Sequence, residues 1–150
     1  MTHVEEHLLH GAEATRDLGL KLAARLRAGD LIELRGPLGA GKTTLAQGIA
    51  RGLGVSEGVT SPTFVLMVEH EGTLPLLHLD AYRLEKRDGS PLDADDLQEA
   101  GIFDFLARRD AVKLIEWPER LAEWLPTPQW DVEIAAPDAD SRRLVLTHHD

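Results

Sequence analysis

The residues Gly36-Pro37-Leu38-Gly39-Ala40-Gly41-Lys42-Thr43 fit the pattern G-x-x-x-x-G-K-[ST]. Their types define a phosphate chemistry. Gly39 and Gly41 carry no Cβ, so the chain through Gly39, Ala40 and Gly41 can turn successive amides toward phosphate oxygens. A helix starting where the pattern ends adds donors outside its own ladder and the positive end of its dipole. Lys42 can reach the β- and γ-phosphates, and the Thr43 hydroxyl can bind Mg²⁺. For Thr44 two readings stay open, an α-phosphate contact and a local backbone bond. Such a loop takes ATP or GTP. Guanine is usually read by an Asn-Lys-x-Asp element, and the chain contains no asparagine, which favours ATP.

A triphosphate site also needs a carboxylate near the metal, commonly at the carboxyl end of a neighbouring strand. Leu76-Leu77-His78-Leu79-Asp80 ends an apolar run in Asp, and Val112-Lys113-Leu114-Ile115-Glu116 ends one in Glu. Asp80 and Glu116 are therefore the candidates for holding Mg²⁺ and orienting water, and the sequence does not divide these two jobs. Between the loop and Asp80 lies Val59-Thr60-Ser61-Pro62-Thr63-Phe64. Its hydroxyls suit either a γ-phosphate sensor, with Thr63 as a second contact, or a surface turn before a strand. His78, inside an apolar run, reads as a hydrogen-bonded core histidine. His3, His7 and His10 have helical spacing in a polar amino terminus expected to fray, and His148 and His149 read as tail. Trp124 and Trp130 are core candidates, whereas Trp117 fits packing and a partner or base contact equally. Arg83, Arg87, Arg108 and Arg109 are solvated by default, and are the source of any arginine finger or RNA contact.

The elements that must position these residues alternate. Ala14, Leu18, Leu22 and Leu26 recur every four residues, predicting a helix over 12–28 that ends at Gly29. Leu31–Arg35 reads as a short strand with one face less covered. Leu45, Ile49 and Leu53 mark a helix over 43–53, in which Gly48 signals close packing or mere tolerance. Runs 64–68 and 74–79 flank Glu71-Gly72-Thr73 as a hairpin. Residues 85–93 form a polar loop, followed by helical pieces over 93–100 and 102–108. Val112–Glu116 is a strand, and Pro118–Leu125 a helical turn or two with Pro at its entry. Short strands over 130–135 and 143–147 complete a mixed α/β sheet in which crossovers and hairpins coexist.

Composition narrows the function classes. The chain has 150 residues, enough for one domain with a proper core. Sixteen basic against 26 acidic residues give a net charge of -10, which argues against a broad nucleic-acid surface of its own. With no cysteine, disulfides, thiolate zinc sites and iron–sulfur clusters are excluded. No apolar run approaches the length of a membrane span, and the first ten residues lack a signal-peptide pattern. The expectation is a cytoplasmic protein without membrane contact.

Four stretches together resemble the ATPase component of bacterial tRNA threonylcarbamoyladenosine synthesis, the TsaE (formerly YjeE) family. They are LRGPLGAGKTTLAQGIARGLG at 34–54, VTSPTF at 59–64, LLHLDAYRL at 76–84 and LIEWPERL at 114–121. Weaker similarity continues over 13–30 and 96–106. The resemblance implies a P-loop NTPase fold, here a single three-layer domain with a mixed, mostly parallel sheet and a β-hairpin. It implies an Mg²⁺-dependent ATPase that cycles a partner complex, the TsaD and TsaB proteins, with tRNA contacted at most indirectly or locally. By resemblance, Lys42 and Thr43 are the loop residues, Thr63 the switch threonine, Asp80 the strand-end aspartate and Glu116-Trp117 the Glu-Trp pair. Pro37 stands where the family often has Asp, Val65 where it often has Thr, and His70 near a common Tyr. The residues alone leave two alternatives: a small-molecule kinase with an arginine lid, and a nucleotide-gated interaction module without significant turnover.

Overall fold

The computed structural model describes residues 1–56, 67–82, 84, 90 and 92–150. The 59–64 segment with Thr63, together with Arg83, Arg87 and most of the 85–93 loop, lies outside the described residues. In chain order the elements are β1 (Thr2–His10), α1 (Gly11–Ala23), β2 (Leu31–Arg35), α2 (Lys42–Gly52), β3 (Met67–His70) and β4 (Leu76–Asp80). There follow α3 (Ala94–Glu99), α4 (Ile102–Ala107), β5 (Val112–Glu116), a 3-10 helix (Pro118–Trp124), β6 (Trp130–Ala135) and β7 (Ser141–His149). One seven-stranded sheet runs β1-β7-β6-β2-β5-β4-β3. Its centre, β6-β2-β5-β4, is parallel, while β3 and β7 add antiparallel to either side and β1 pairs antiparallel with β7.

Helices cover both faces of the central strands. Leu22, Leu45 and Ile49 of α1 and α2 pack with Ile32, Leu34, Leu114 and Val132 on one face. Leu97, Ile102, Phe105 and Leu121 pack with Leu31, Leu77, Leu79 and Ile115 on the other. Burial from both sides explains the near-continuous apolar runs of β2, β4 and β5. It also corrects the expectation that one face of β2 is less covered: Leu31 through Leu34 are all buried, and Glu33 is buried with its carboxylate 2.9 Å from the Arg35 guanidinium. By contrast β6 alternates, because only one of its faces is packed.

Where α1 crosses α2, their backbones touch. A Cβ added to Gly48 would lie 2.2 Å from the Arg16 carbonyl oxygen, and one on Gly19 would lie 2.5 Å from that of Leu45. Gly48 is therefore a packing requirement, not a tolerated residue. The helix predicted to 28 stops at Ala23. Arg25 and Leu26 donate to Leu22 and Ala23 in tighter turns that still bury Leu26. At α3 the Asp93 carboxylate accepts from the Asp96 amide at 3.0 Å and the Asp96 carboxylate from the Asp93 amide at 2.9 Å, a reciprocal cap that fixes the helix start.

Both chain ends depart from expectation. The first ten residues do not fray: β1 pairs with β7 along its length, from Thr2 opposite His149 to His10 opposite Ser141. On a strand, His10 faces away from His3 and His7. His148 and His149 belong to β7, and the His148 ring stacks on Trp130 at 3.8 Å with an interplanar angle of 6°. Trp130 is 1% exposed, whereas Trp124 is only partly buried, edge-on to Phe103. No helix among the described residues is long and apolar enough to cross a membrane.

Candidate phosphate-binding site

β2 delivers the glycine loop and α2 receives it. Gly39 (φ 78°) and Gly41 (φ 105°) hold left-handed dihedrals that a side chain would strain, so these two positions give the loop its shape. The Ala40 amide turns inward to the Pro37 carbonyl at 3.2 Å, so within the loop it is a brace and not an outward donor. Gly41 is the N-cap of α2 with no side-chain cap, and the first bond of the helical ladder is Leu45 N–H to Gly41 C=O. The amides ahead of Leu45 therefore lie outside the ladder, at the positive end of an eleven-residue helix.

Lys42, the first residue of α2, is 5% exposed. Its ammonium donates to the Gly36 carbonyl at 2.6 Å and sits 3.9 Å from the centre of the Trp117 ring. Burial pushes its pKa down, and the charges of Glu116, Asp80 and Glu119 pull it back up. A desolvated cation held among carboxylates suits a terminal phosphate better than open solvent.

The two carboxylates arrive from the sheet. Asp80 ends β4, Glu116 ends β5, and the parallel register sets them opposite each other. Glu116 in turn pairs with Leu34 of β2, two residues before Gly36, so all three strand ends are level. Asp80 accepts the Tyr82 amide at 2.9 Å, and burial, with Glu116 beside it, raises its pKa against that hydrogen bond and the charges of His78 and Lys42. Glu116 is 3% exposed, and its carboxylate accepts from Nε2 of the fully buried His78 at 2.8 Å. The expectation for His78 thus holds, and the structure names its partner.

Trp117 takes φ 59° and ψ 48°, the one non-glycine residue with positive φ among those described. The turn stops β5 directly after Glu116, and Pro118 then opens the 3-10 helix. Its ring lies over Lys42 and against Tyr82 at 4.9 Å. Holding a bulky residue there costs about 1–3 kcal/mol, a strain typical of functional sites.

Beside the loop, Gly11, Thr15, Gly41, Thr44, Asp140 and Arg142 line a cavity of about 310 Å³. Sequence reasoning missed this wall. Gly11 and Arg142 come from opposite chain ends, brought together by the β1–β7 pairing and by the Gly11 amide donating to Asp140 at 3.0 Å. Arg108 and Arg109 are not part of the site. They precede β5, at the strand ends remote from Glu116, and Arg108 is engaged by Glu69 and Asp110, each at 2.7 Å.

Hard oxygen donors near the loop are the Thr43 hydroxyl and the Asp80 and Glu116 carboxylates. No group of three or more His, Cys, Asp or Glu suited to a metal occurs among the described residues. That donor set fits Mg²⁺, which takes one or two carboxylates and leaves its other positions to phosphates and waters. Two facing carboxylates, one with a raised pKa, would also be relieved by a dication.

A strand, a glycine loop and a buried lysine at the start of a helix, inside a mixed α/β sheet, define a P-loop-like nucleotide-binding protein. Residues 9–144 match the family described as "Threonylcarbamoyl adenosine biosynthesis protein TsaE". The chain is 40% identical over 136 residues to the tRNA threonylcarbamoyladenosine biosynthesis protein TsaE of a Nostoc species, covering 90% of this chain and 80% of that one. It is 44% identical over 127 residues to the TsaE of Mycobacterium tuberculosis, covering 81% and 73%. The crystal structure of Bacillus subtilis YdiB superposes with a TM-score of 0.73 at 31% identity, over 99% of this chain and 87% of that one. The chain belongs to the TsaE family.

Proposed function

We propose that this chain binds and hydrolyses MgATP as the ATPase component of tRNA N6-threonylcarbamoyladenosine synthesis, and so cycles a partner complex. The observation that carries the chemistry is the convergence of Lys42, Asp80 and Glu116 at the level ends of β2, β4 and β5. Family membership carries the biological setting.

The α2 amides ahead of Leu45 and the Lys42 ammonium bind the β- and γ-phosphates. Thr44, on the cavity wall, faces the α-phosphate, and the cavity has room for part of a nucleoside. Mg²⁺, held by Thr43 with Asp80 and Glu116, would supply charge neutralisation across the phosphates. Water attacks the γ-phosphorus in line. Its O–P bond forms as the bond to the β–γ bridging oxygen breaks, giving ADP and inorganic phosphate. A strand-end carboxylate, Glu116 or Asp80, orients the attacking water while Lys42 neutralises the charge developing on the γ-oxygens. Thr63, by its place in the family's motif, would act as the γ-phosphate sensor. The partner is the protein complex containing TsaD and TsaB, and tRNA is held by that complex, in keeping with a net charge of -10 on this chain.

The test is MgATP hydrolysis with the partner complex present. Separate Glu116→Gln and Asp80→Asn proteins that fold normally are expected to lose about 10²–10⁴-fold in rate, at least one of them strongly. Wild-type turnover by both would overturn the assignment. Full-rate tRNA modification by the isolated chain would overturn the partner-cycling role.

A further inference from the structure

His78 occupies a slot that packing alone would fill with an aliphatic side chain. It lies inside β4, level with Val68 on β3 and Leu114 on β5, on the sheet face where Leu76 and Leu114 join the core under α1 and α2, and it is fully buried. A leucine there would cost no polar desolvation. The imidazole does: among the described residues its Nδ1 has no hydrogen-bond partner. What the ring gains is one contact, Nε2–H to the Glu116 carboxylate at 2.8 Å, between two side chains that are 0% and 3% exposed.

That contact acts where Glu116 most needs it. The last torsion of a glutamate is broad and two-fold, so no rotamer preference fixes the plane of its carboxylate. A catalytic or ligating oxygen must nevertheless be held within about 0.5 Å and 10–20° of its working geometry. A hydrogen bond from a rigid ring, anchored in the neighbouring strand and walled in by core leucines, sets that plane. We infer that His78 is a positioning residue for Glu116, fixing its carboxylate at the phosphate site through the Nε2–Oε2 bond. The proposal rests on the functional reading of Glu116 given above. Register brings it about: His78 sits two residues before Asp80, and Asp80 is level with Glu116, so both act on the same face of the sheet.

The experiment compares His78→Leu, His78→Gln, Glu116→Gln and the double variant His78→Leu/Glu116→Gln. MgATP hydrolysis is measured with partners present, MgATP affinity by calorimetry, and the ring ¹⁵N signals of His78 by NMR, assigned by their loss in His78→Gln. His78→Leu should lower kcat roughly 10–100-fold, as the loss of a partner behind a working ligand does, with KM and affinity for MgATP within about 2-fold. His78→Gln, whose amide can donate to the same oxygen, should recover most of the rate. The double variant should be no slower than Glu116→Gln, and Glu116→Gln should shift the His78 Nε2 signal. Should His78→Leu fail to fold, His78→Met takes its place. Wild-type kcat in the apolar variant, no recovery by glutamine, or full additivity in the double variant would each overturn the proposal. If Glu116→Gln itself turns over normally, the failure lies with the functional reading of Glu116.

Discussion

Gly48→Ala should loosen the joint that holds the phosphate loop against the rest of the molecule. The added methyl would sit 2.2 Å from the carbonyl oxygen of Arg16 and 2.9 Å from its carbonyl carbon. Both belong to the backbone of α1, so no side chain can swing away. To restore an ordinary contact the helices must part by about 1 Å, in a core packed as densely as a crystal. Against backbone atoms the overpacking cost falls in the upper part of its usual range, about 2–3 kcal/mol, and the better helix propensity of alanine returns about 1 kcal/mol. The net loss is about 1–2 kcal/mol, or a melting temperature lowered by roughly 2–8 °C at this chain length. Gly19→Ala meets the same wall from the other side, 2.5 Å from the Leu45 carbonyl. A separation that accommodates one methyl accommodates much of the second, so the double variant should lose clearly less than the sum. Urea denaturation of the four proteins measures this. Wild-type stability in Gly48→Ala, or strict additivity with Gly19→Ala, would refute the backbone-contact argument.

Two further outcomes follow from the charges around the site. Asp80 has a pKa raised chiefly by burial, so its contribution to stability is present at low pH and is lost as pH rises through the folded value. Asp80→Asn, which keeps the oxygen that accepts from Tyr82, should therefore melt higher than wild type near neutral pH and converge with it in acid. It should do so while losing hydrolysis, and an unchanged or lower melting temperature at pH 7 would contradict the desolvation argument. Arg35 contacts Glu33 at 2.9 Å, Glu119 at 3.2 Å and Asp131 at 3.3 Å, and Glu33 is raised in pKa mainly by burial. Arg35→Met should cost about 1–2 kcal/mol, less than a fully buried pair because Arg35 is a third exposed. That deficit should grow as pH rises through the folded pKa of Glu33, read by chemical denaturation at several pH values. A deficit that shrinks with rising pH would be inconsistent with it.

The phosphate loop, its flanking strand and helix, and the carboxylates Asp80 and Glu116 were all legible in the sequence, because each is a local signal. Glycines at fixed spacing, an apolar run ending in an acid and a four-residue repeat are written within about ten residues of chain. The family, too, could be read from four short stretches. What a window of sequence does not contain is which strands become neighbours. The level row Leu34–Glu116–Asp80, the His78 bond to Glu116 and the placing of Trp117 over Lys42 depend on register between segments far apart in the chain. The chain ends show it most plainly. Residues 2–10 carry a weak pattern and look frayed alone, but β7 offers them a full ladder of hydrogen bonds, and that pairing builds one wall of the cavity beside the loop. Local chemistry decided which side chains could act on a phosphate; only the closing of distant strands decided which of them meet.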